Sequence, residues 1–443
     1  MPSTLSSMLA VHAAEHCAFG AAGKSWMTYG ALRDLSTDIF LSLRKNGIGA
    51  ADRVAIVLEN GAVMATAFVT VAQAAATAPL NPNYREDEFA FYLQDLKAKA
   101  IVLEVGYDGP ALIAAQRNDL VILWLHADEA VAGKFSLTTH DDANAADCNY
   151  PSQNHTALIL HTSGTTSRPK IVPLLNSNLT ASAENIALSL ELSTKDRCMN
   201  VMPLFHIHGL LASVSASLFA GASIFCTSGF NAMTFFKNLE EAKPSWFTAV
   251  PTMHQAILAR SDRNCEIINT NPLRFVRSSS ASLPSQVLEK LRKTFNAPVI
   301  EAYGMTEASH QMCCNPLKLQ KPGSVGIATG QEVRIAHEKY AAFNEGVGEV
   351  VISGPNVTAG YEGNRNANAK NFFEAEGKRW FRTGDQGLFD ADGYLTLTGR
   401  LKEIINRGGE KISPLEVDSV LLDCPAIEQA VTFALPHAKL GED

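Results

Sequence analysis

The chain has 443 residues, 46% hydrophobic and 19% charged: several domains' worth of core, and too apolar to stay disordered. Lys plus Arg number 37 against 45 Asp plus Glu, a net charge of -8, which excludes a bulk basic surface for nucleic acid but allows a local basic pocket. The eight Cys form no CxxC pair and no zinc-like His/Cys spacing, so a reducing intracellular setting is expected, cytoplasmic by default with a peroxisomal address left open.

No Lys or Arg precedes Lys24 and Glu15 interrupts the mildly apolar start, so no secretory leader is expected. RVAIVLE (53–59) reads as a buried strand. Gly61 to Leu80 is Ala- and Thr-rich with Gln73 near its middle, which predicts a helix buried against a sheet and no membrane span. AIVLEV (100–105), LVILWL (120–125), ALIL (157–160), ASIFCTS (222–228) and SWFTAV (245–250) are further buried strands. The stretches between them suit crossover helices and hence mostly parallel sheets, with the polar run 138–156 as an exposed connection.

Beyond about residue 320, EVVISG (349–354) and GLFD/GYLTLTGR around Asp392-Gly393 predict antiparallel strands. From Arg400 the chain is charged and Gly-rich before a helical run from Pro414. The predicted fold is therefore α/β. A large domain spans 1–400, with two α/β lobes (about 1–137 and 157–318) and a small β-barrel-like subdomain (about 319–400); residues 401–443 enter another small domain.

HTSGTTSRPK (161–170) follows the strand ALIL directly. Its hydroxyls, unhindered backbone N–H groups, Arg168 and Lys170 suit a polyphosphate, although GxxxxGK[ST] is absent. A plain polar turn is the alternative reading of these residues alone. The run resembles the phosphate loop of the adenylate-forming superfamily of acyl-CoA synthetases, adenylation domains and luciferases. Six further segments resemble that family in order: ADRVAI (51–56), PLNPNY (79–84), PLFHIHG (203–209), EAYGMTEA (301–308), RTGDQG (382–387) and GRLKEIINRGGEKISPLEVD (399–418).

The resemblance implies attack of a carboxylate on the α-phosphorus of ATP, then thioester formation with CoA. It implies that Thr162, Ser163, Gly164, Thr165, Thr166 and Lys170 hold the β- and γ-phosphates, that Thr306 touches the α-phosphate, and that Glu307 ligates Mg²⁺. Tyr303 and Gly304 then flank the adenine, with Ser279, Ser280 and Ala281 opposite and backbone groups from Glu301 and Ala302. Asp385 takes the ribose hydroxyls, helped by Arg400. Lys402 falls at the family's hinge, Gly408 and Gly409 pass the CoA arm, and Lys411 reaches phosphate or acid. The resemblance thus makes 401–443 a hinge and the start of a small mobile α+β domain. The departure from pattern is Ile171 after Lys170 and Asn176 in place of a His, with Asn178 kept.

For the acid, PLFHIHG supplies His206 and His208, helical spacing after Thr306 predicts His310 one turn on, and Ser278, Ser279 and Ser280 add hydroxyls. Hydroxyls and protonatable imidazoles suit a second carboxylate. Together these segments resemble the oxalyl-CoA synthetases, so the expected acid is a small dicarboxylate such as oxalate, with His206 as a catalytic gate. The alternatives are another short, medium-chain or aromatic acid, a carrier-protein-loading enzyme, or a catalytically impaired nucleotide binder. The family's late catalytic Lys has no match; Lys439 sits in the wrong motif, on a loop after an expected strand QAVTFAL, so the small domain reads as truncated.

Overall fold

A computed structural model describes residues 2–139, 145–162, 169–336, 343, 345–422, 424, 426–427 and 430–443. Among them, one seven-stranded sheet runs in the order Phe135–Thr138, Val121–Ala127, Ala100–Glu104, Arg53–Val57, Ala76–Pro79, Thr156–His161, Ile171–Leu175. Its inner pairs are parallel and its two edge pairs antiparallel. A nine-stranded sheet runs Ile327–Ala328, His310–Cys314, Val299–Met305, Phe275–Ser278, Trp246–Ala249, Arg197–Asn200, Ser223–Cys226, Cys17–Gly20, Met27–Thr28. The expected lobe division at 137 and 157 differs from this sorting. Cys17–Gly20 joins the second sheet, and Thr156–His161 with Ile171–Leu175 joins the first.

Strand alternation sorts the core into layers. Val54 and Ile56 enter the largest apolar cluster, and Ala55 and Val57 face the other way. In the second sheet Cys198, Ile224, Trp246 and Phe275 join that same cluster, while Met199, Phe225, Phe247 and Val276 line the opposite face. Helices Tyr29–Lys45, Ala62–Ala72 and Asn176–Ser189 and the segment 208–219 therefore lie between the sheets. Glu86–Leu96 and Pro110–Arg117 cover one outer face; Phe235–Ala242, Pro251–Leu258 and Ser285–Phe295 cover the other. The result is a five-layer αβαβα arrangement.

The run from Gly61 to Leu80 is a helix only as far as Ala72, buried at every position but Val63. There the Gln73 amide turns back to the Val69 carbonyl (3.0 Å) and the Ser36 hydroxyl (2.9 Å), and Ala76–Pro79 continues as a strand beside Arg53–Val57. Among the described residues no helix is long and apolar enough to cross a membrane.

The third sheet is open, which corrects the barrel expectation. The long strand Lys378–Phe389 pairs on one edge with Gly348–Ser353 and on the other with Phe372–Ala375 and then Leu395–Arg400. Glu332–Ala336 pairs with Gly348–Ser353, and Ala336 adds one isolated bridge to Phe343, but no strand pairing among the described residues closes the sheet. The hairpin at Asp392-Gly393 forms as expected, with the Asp390 carboxylate accepting the N–H groups of Asp392 and Tyr394. Past Arg400, Ile405–Arg407 and Glu410–Ile412 form a hairpin that turns at Gly408 (φ 61°) and Gly409 (φ 99°), where only glycine is unstrained. The helix Pro414–Leu422 follows. Residues 430–435 of the expected strand QAVTFAL are not in a strand; the chain pairs only at Pro436–His437 and Gly441–Glu442, with Lys439 exposed between them.

Candidate active site

Thr162 and Lys170 stand at the two ends of the expected phosphate loop, where adjacent antiparallel strands bring them together: the Thr162 N–H donates to the Lys170 carbonyl at 3.0 Å. Ser163, Gly164, Thr165, Thr166 and Arg168 lie outside the described residues. The Lys170 ammonium sits 4.3 Å over the centroid of the Tyr361 ring, and the Tyr361 hydroxyl donates to Glu307 Oε1 at 2.7 Å. Glu307 is buried and Thr306 beside it half-buried, on a single tight turn rather than a helix. Desolvation lowers the Lys170 pKa, and Glu307 opposes that while Lys402 and Lys370 add to it. Glu307 fits a cation ligand: its second oxygen has no partner among the described residues.

Tyr361 escaped the sequence reading because GPNVTAGYEG has no periodicity to mark it. Its loop is strapped down by the Asn kept after Lys170. Asn178 Nδ2 donates to the carbonyls of Pro355 (2.7 Å) and Val357 (3.2 Å), Thr358 N–H donates to the Glu307 carbonyl (2.8 Å), and the Thr358 hydroxyl donates to the Pro173 carbonyl (2.7 Å). Asn176, in the place of the family His, instead accepts the Leu5 N–H and donates to the Ser152 carbonyl.

On the nucleoside side the Tyr303 hydroxyl donates to Asp385 Oδ2, and Arg400 Nε lies 3.4 Å from Asp385 Oδ1. Burial raises the pKa of Asp385, with the Tyr303 hydrogen bond and Arg400 opposing, and burial likewise raises that of Tyr303. The three serines divide at the end of the strand Phe275–Ser278. Ser278 and Ser279 are buried, the Ser279 hydroxyl donating to the Ala302 carbonyl (2.8 Å), and only Ser280 is exposed, at φ 75° and followed by exposed Ala281. The Glu301 carbonyl already accepts the Asn315 N–H (2.9 Å). Gly304 is required by close packing: a Cβ there would lie 1.9 Å from the His310 carbonyl oxygen.

The acid side is more buried than expected. His208 and His310 stack with ring centroids 4.8 Å apart and planes 21° apart. His310 arrives by a different route from the one predicted: it opens the strand His310–Cys314, paired with Met305, so it is not one helical turn beyond Thr306. His208 opens a wide π-type turn, 208–215, and its Nδ1 lies 2.9 Å from the Ser280 hydroxyl. Beneath both rings lies Arg277, fully buried and unforeseen in the sequence reading. His206 stays exposed beside Phe205 and joins no hydrogen bond through its ring among the described residues. Both stacked imidazoles are held well below their ordinary pKa by burial. That direction disfavours the protonated form of either ring.

Lys402 is exposed at the turn after Arg400, near enough for its charge to depress Lys170. Gly408, Gly409 and Lys411 lie on the exposed hairpin, where Lys411 makes no ion pair among the described residues.

Lys170 with Tyr361 and Glu307, Tyr303 with Asp385 and Arg400, and His208 with His310 and Arg277 make three polar clusters in this α/β architecture. The AMP-binding enzyme family matches residues 9–362, and the chain belongs to it. It is 43% identical to an oxalate–CoA ligase of Arabidopsis thaliana, over 96% of this chain and 84% of that one. It is 42% identical to an oxalate–CoA ligase of Saccharomyces cerevisiae, over 88% and 76%. The crystal structure of ATP-bound MatB from Rhodopseudomonas palustris superposes with a TM-score of 0.87 at 25% identity, covering 100% of this chain and 87% of that one.

Proposed function

We propose that the protein is an ATP-dependent acid–CoA ligase whose acid is oxalate. The observation that carries the choice of acid is the polar group of His208, His310 and Ser280 over a buried guanidinium, which suits a second carboxylate better than a hydrophobic tail. The two relatives named as oxalate–CoA ligases support it.

In the first step one carboxylate oxygen of the acid attacks the α-phosphorus of ATP and pyrophosphate leaves. In the second the CoA sulfur attacks the acyl carbon and AMP leaves. The nucleophile of the first step is already an anion, so the protein's task is to orient it and stabilise charge. Lys170 and Thr306 would face the phosphates, with Ser163 to Thr166 closing the loop over them, and Glu307 would hold Mg²⁺, oriented by Tyr361. Mg²⁺ supplies charge neutralisation at the phosphate oxygens. Tyr303 would stack on adenine while its hydroxyl fixes Asp385, leaving that carboxylate aimed at the ribose beside Arg400. His206 would guard the entrance from the exposed side. Domain-wise, 1–400 would carry adenylation and 401–443 the hinge, with Lys402 as pivot and Gly408, Gly409 and Lys411 meeting CoA. A cytoplasmic setting is consistent with all eight cysteines being free thiols.

Pyrophosphate release with oxalate, malonate, acetate and cinnamate, each with and without CoA, tests the reading. Oxalate should give the highest kcat/KM, and CoA should be consumed. A preference for cinnamate or a medium-chain acid would overturn the choice of acid.

A further inference from the structure

The proposed acid site holds a charge with no counter-ion among the described residues. Arg277 is fully buried on the strand Phe275–Ser278, directly across from Thr248. Its Nη1 donates to the Thr248 hydroxyl (3.2 Å) and faces His208 Nε2 (3.3 Å). Its Nη2 donates to Gln311 Oε1 (2.9 Å) and faces His310 Nε2 (3.2 Å), while Nε has no partner. No Asp or Glu pairs with it among the described residues. The ionisable groups acting on it are the thiols of Cys198 and Cys314, and burial raises the pKa of both, so they stay neutral. An uncompensated buried cation is costly, and such groups are retained where a ligand answers the charge.

Arg277 also dictates where the histidine protons sit. A guanidinium only donates, so Nε2 of both rings accepts and each ring carries its proton on Nδ1. Thr248 agrees: its oxygen takes the Arg277 N–H, and its own proton goes to His208 Nε2 at 2.6 Å. His208 Nδ1–H then donates to the Ser280 oxygen, which leaves the Ser280 hydroxyl proton free for whatever occupies the pocket. His310 Nδ1–H has no partner among the described residues. The groups facing His208 are Arg277, His310, His254 and His206, all of which disfavour its protonation.

Resting on the reading of this pocket as the acid site, we propose that Arg277 is the positioning residue that selects a doubly charged acid. It locks His208 and His310 as neutral Nδ1–H donors, aims the Ser280 hydroxyl outward through His208, and leaves a positive charge beneath the acid's second carboxylate. It touches neither ATP nor the reacting carboxylate.

The test compares wild type with Arg277→Met and Arg277→Lys, reading kcat/KM for pyrophosphate release with oxalate, malonate and acetate from pH 5 to 8. Arg277→Met should cut the dicarboxylate-to-acetate ratio by about 50-fold, the order expected for losing one buried charge at a moderate effective dielectric. Arg277→Lys should restore part of that ratio. In Arg277→Met the freed imidazoles should add an ionisation between about pH 5 and 7 that wild type lacks. Equal losses for all three acids with an unchanged pH profile would reduce Arg277 to a packing role and overturn the proposal. Should neither variant fold, ¹⁵N spectra of histidine-labelled wild type decide. His208 and His310 should remain neutral Nδ1–H tautomers across this range, and an Nε2–H tautomer or titration near 6.5 refutes the lock. A wild type that does not favour dicarboxylates sinks the substrate reading by itself, while the tautomers still judge the lock.

Discussion

Glu301 offers a stability test that is separate from catalysis. Its carboxyl is buried on the strand Val299–Met305, 7% exposed, and its one hydrogen bond accepts the Gly323 N–H at 3.4 Å. Burial pushes its pKa up to about 7 from the ordinary 4.5, with the Gly323 bond opposing weakly. The sign follows from which state ionises first. Below pH 4.5 the group is protonated folded and unfolded, so stability is unaffected; between 4.5 and 7 the unfolded chain loses the proton first and stability falls as pH rises. The shift is worth about 3 kcal/mol above pH 7. Replacing Glu301 by Gln keeps the acceptor for Gly323 and removes the charge. An unfolding entropy of about 2 cal/mol/K per residue turns that energy into a rise in midpoint of about 3 °C. Melting curves from pH 5 to 8.5 should therefore show the Glu301→Gln protein above wild type at pH 8 and level with it at pH 5. ATP affinity should be unchanged, because the adenine reading uses only the backbone of Glu301. A gap between the two proteins that does not vary with pH would refute the argument.

Lys170→Ala and Glu307→Gln should each slow adenylation by roughly 10²–10³-fold, the effect of losing one electrostatic stabiliser; wild-type pyrophosphate release from Glu307→Gln would remove that residue from the Mg²⁺ site. Tyr361→Phe deletes the 2.7 Å hydrogen bond to Glu307 and should raise the Mg²⁺ concentration for half-maximal rate by about 10–100-fold, read from a metal titration of the initial rate. Gly304→Ala puts a methyl 1.9 Å from a backbone oxygen that no side-chain rotation can move. It should cost about 3 kcal/mol or more in chemical denaturation, and a midpoint within error of wild type would show that the two strands separate freely.

What was legible in the sequence divides by the kind of signal. Short β-branched runs such as RVAIVLE and SWFTAV announce buried strands because both faces of a parallel sheet are covered, and each lies where expected. Strand order is carried by no such local signal. That Cys17–Gly20 sits beside Ser223–Cys226, across more than two hundred residues, depends on which edge is left open once the helices have packed. The barrel expectation failed for a related reason: a run of antiparallel strands predicts neighbours, but closure depends on whether the outermost strand finds a second strand, and beyond Gly348–Ser353 the strand Glu332–Ala336 makes only an isolated bridge to Phe343 among the described residues.

At the site, motifs located Lys170, Glu307, Tyr303, Asp385 and His208, and the structure groups them into the three clusters. The serine run shows where a motif misleads. Successive residues of a strand alternate between faces, but the strand ends at Ser278: Ser279 turns inward to the Ala302 carbonyl and only Ser280, at φ 75°, is exposed, so the three do not share one surface. The same parity places Arg277 on the face of Trp246, Thr248 and Phe275, which is the face His208 packs against. A lone arginine in FVRSSSAS looks like an exposed strand residue until register sets Thr248 beside it and a π-type turn delivers an imidazole from above. Once these are joined, the direction of control reverses. Burial disfavours protonation of His208 and His310, and in the role proposed for Arg277 the charge that answers a second carboxylate comes from a residue that the motifs pass over.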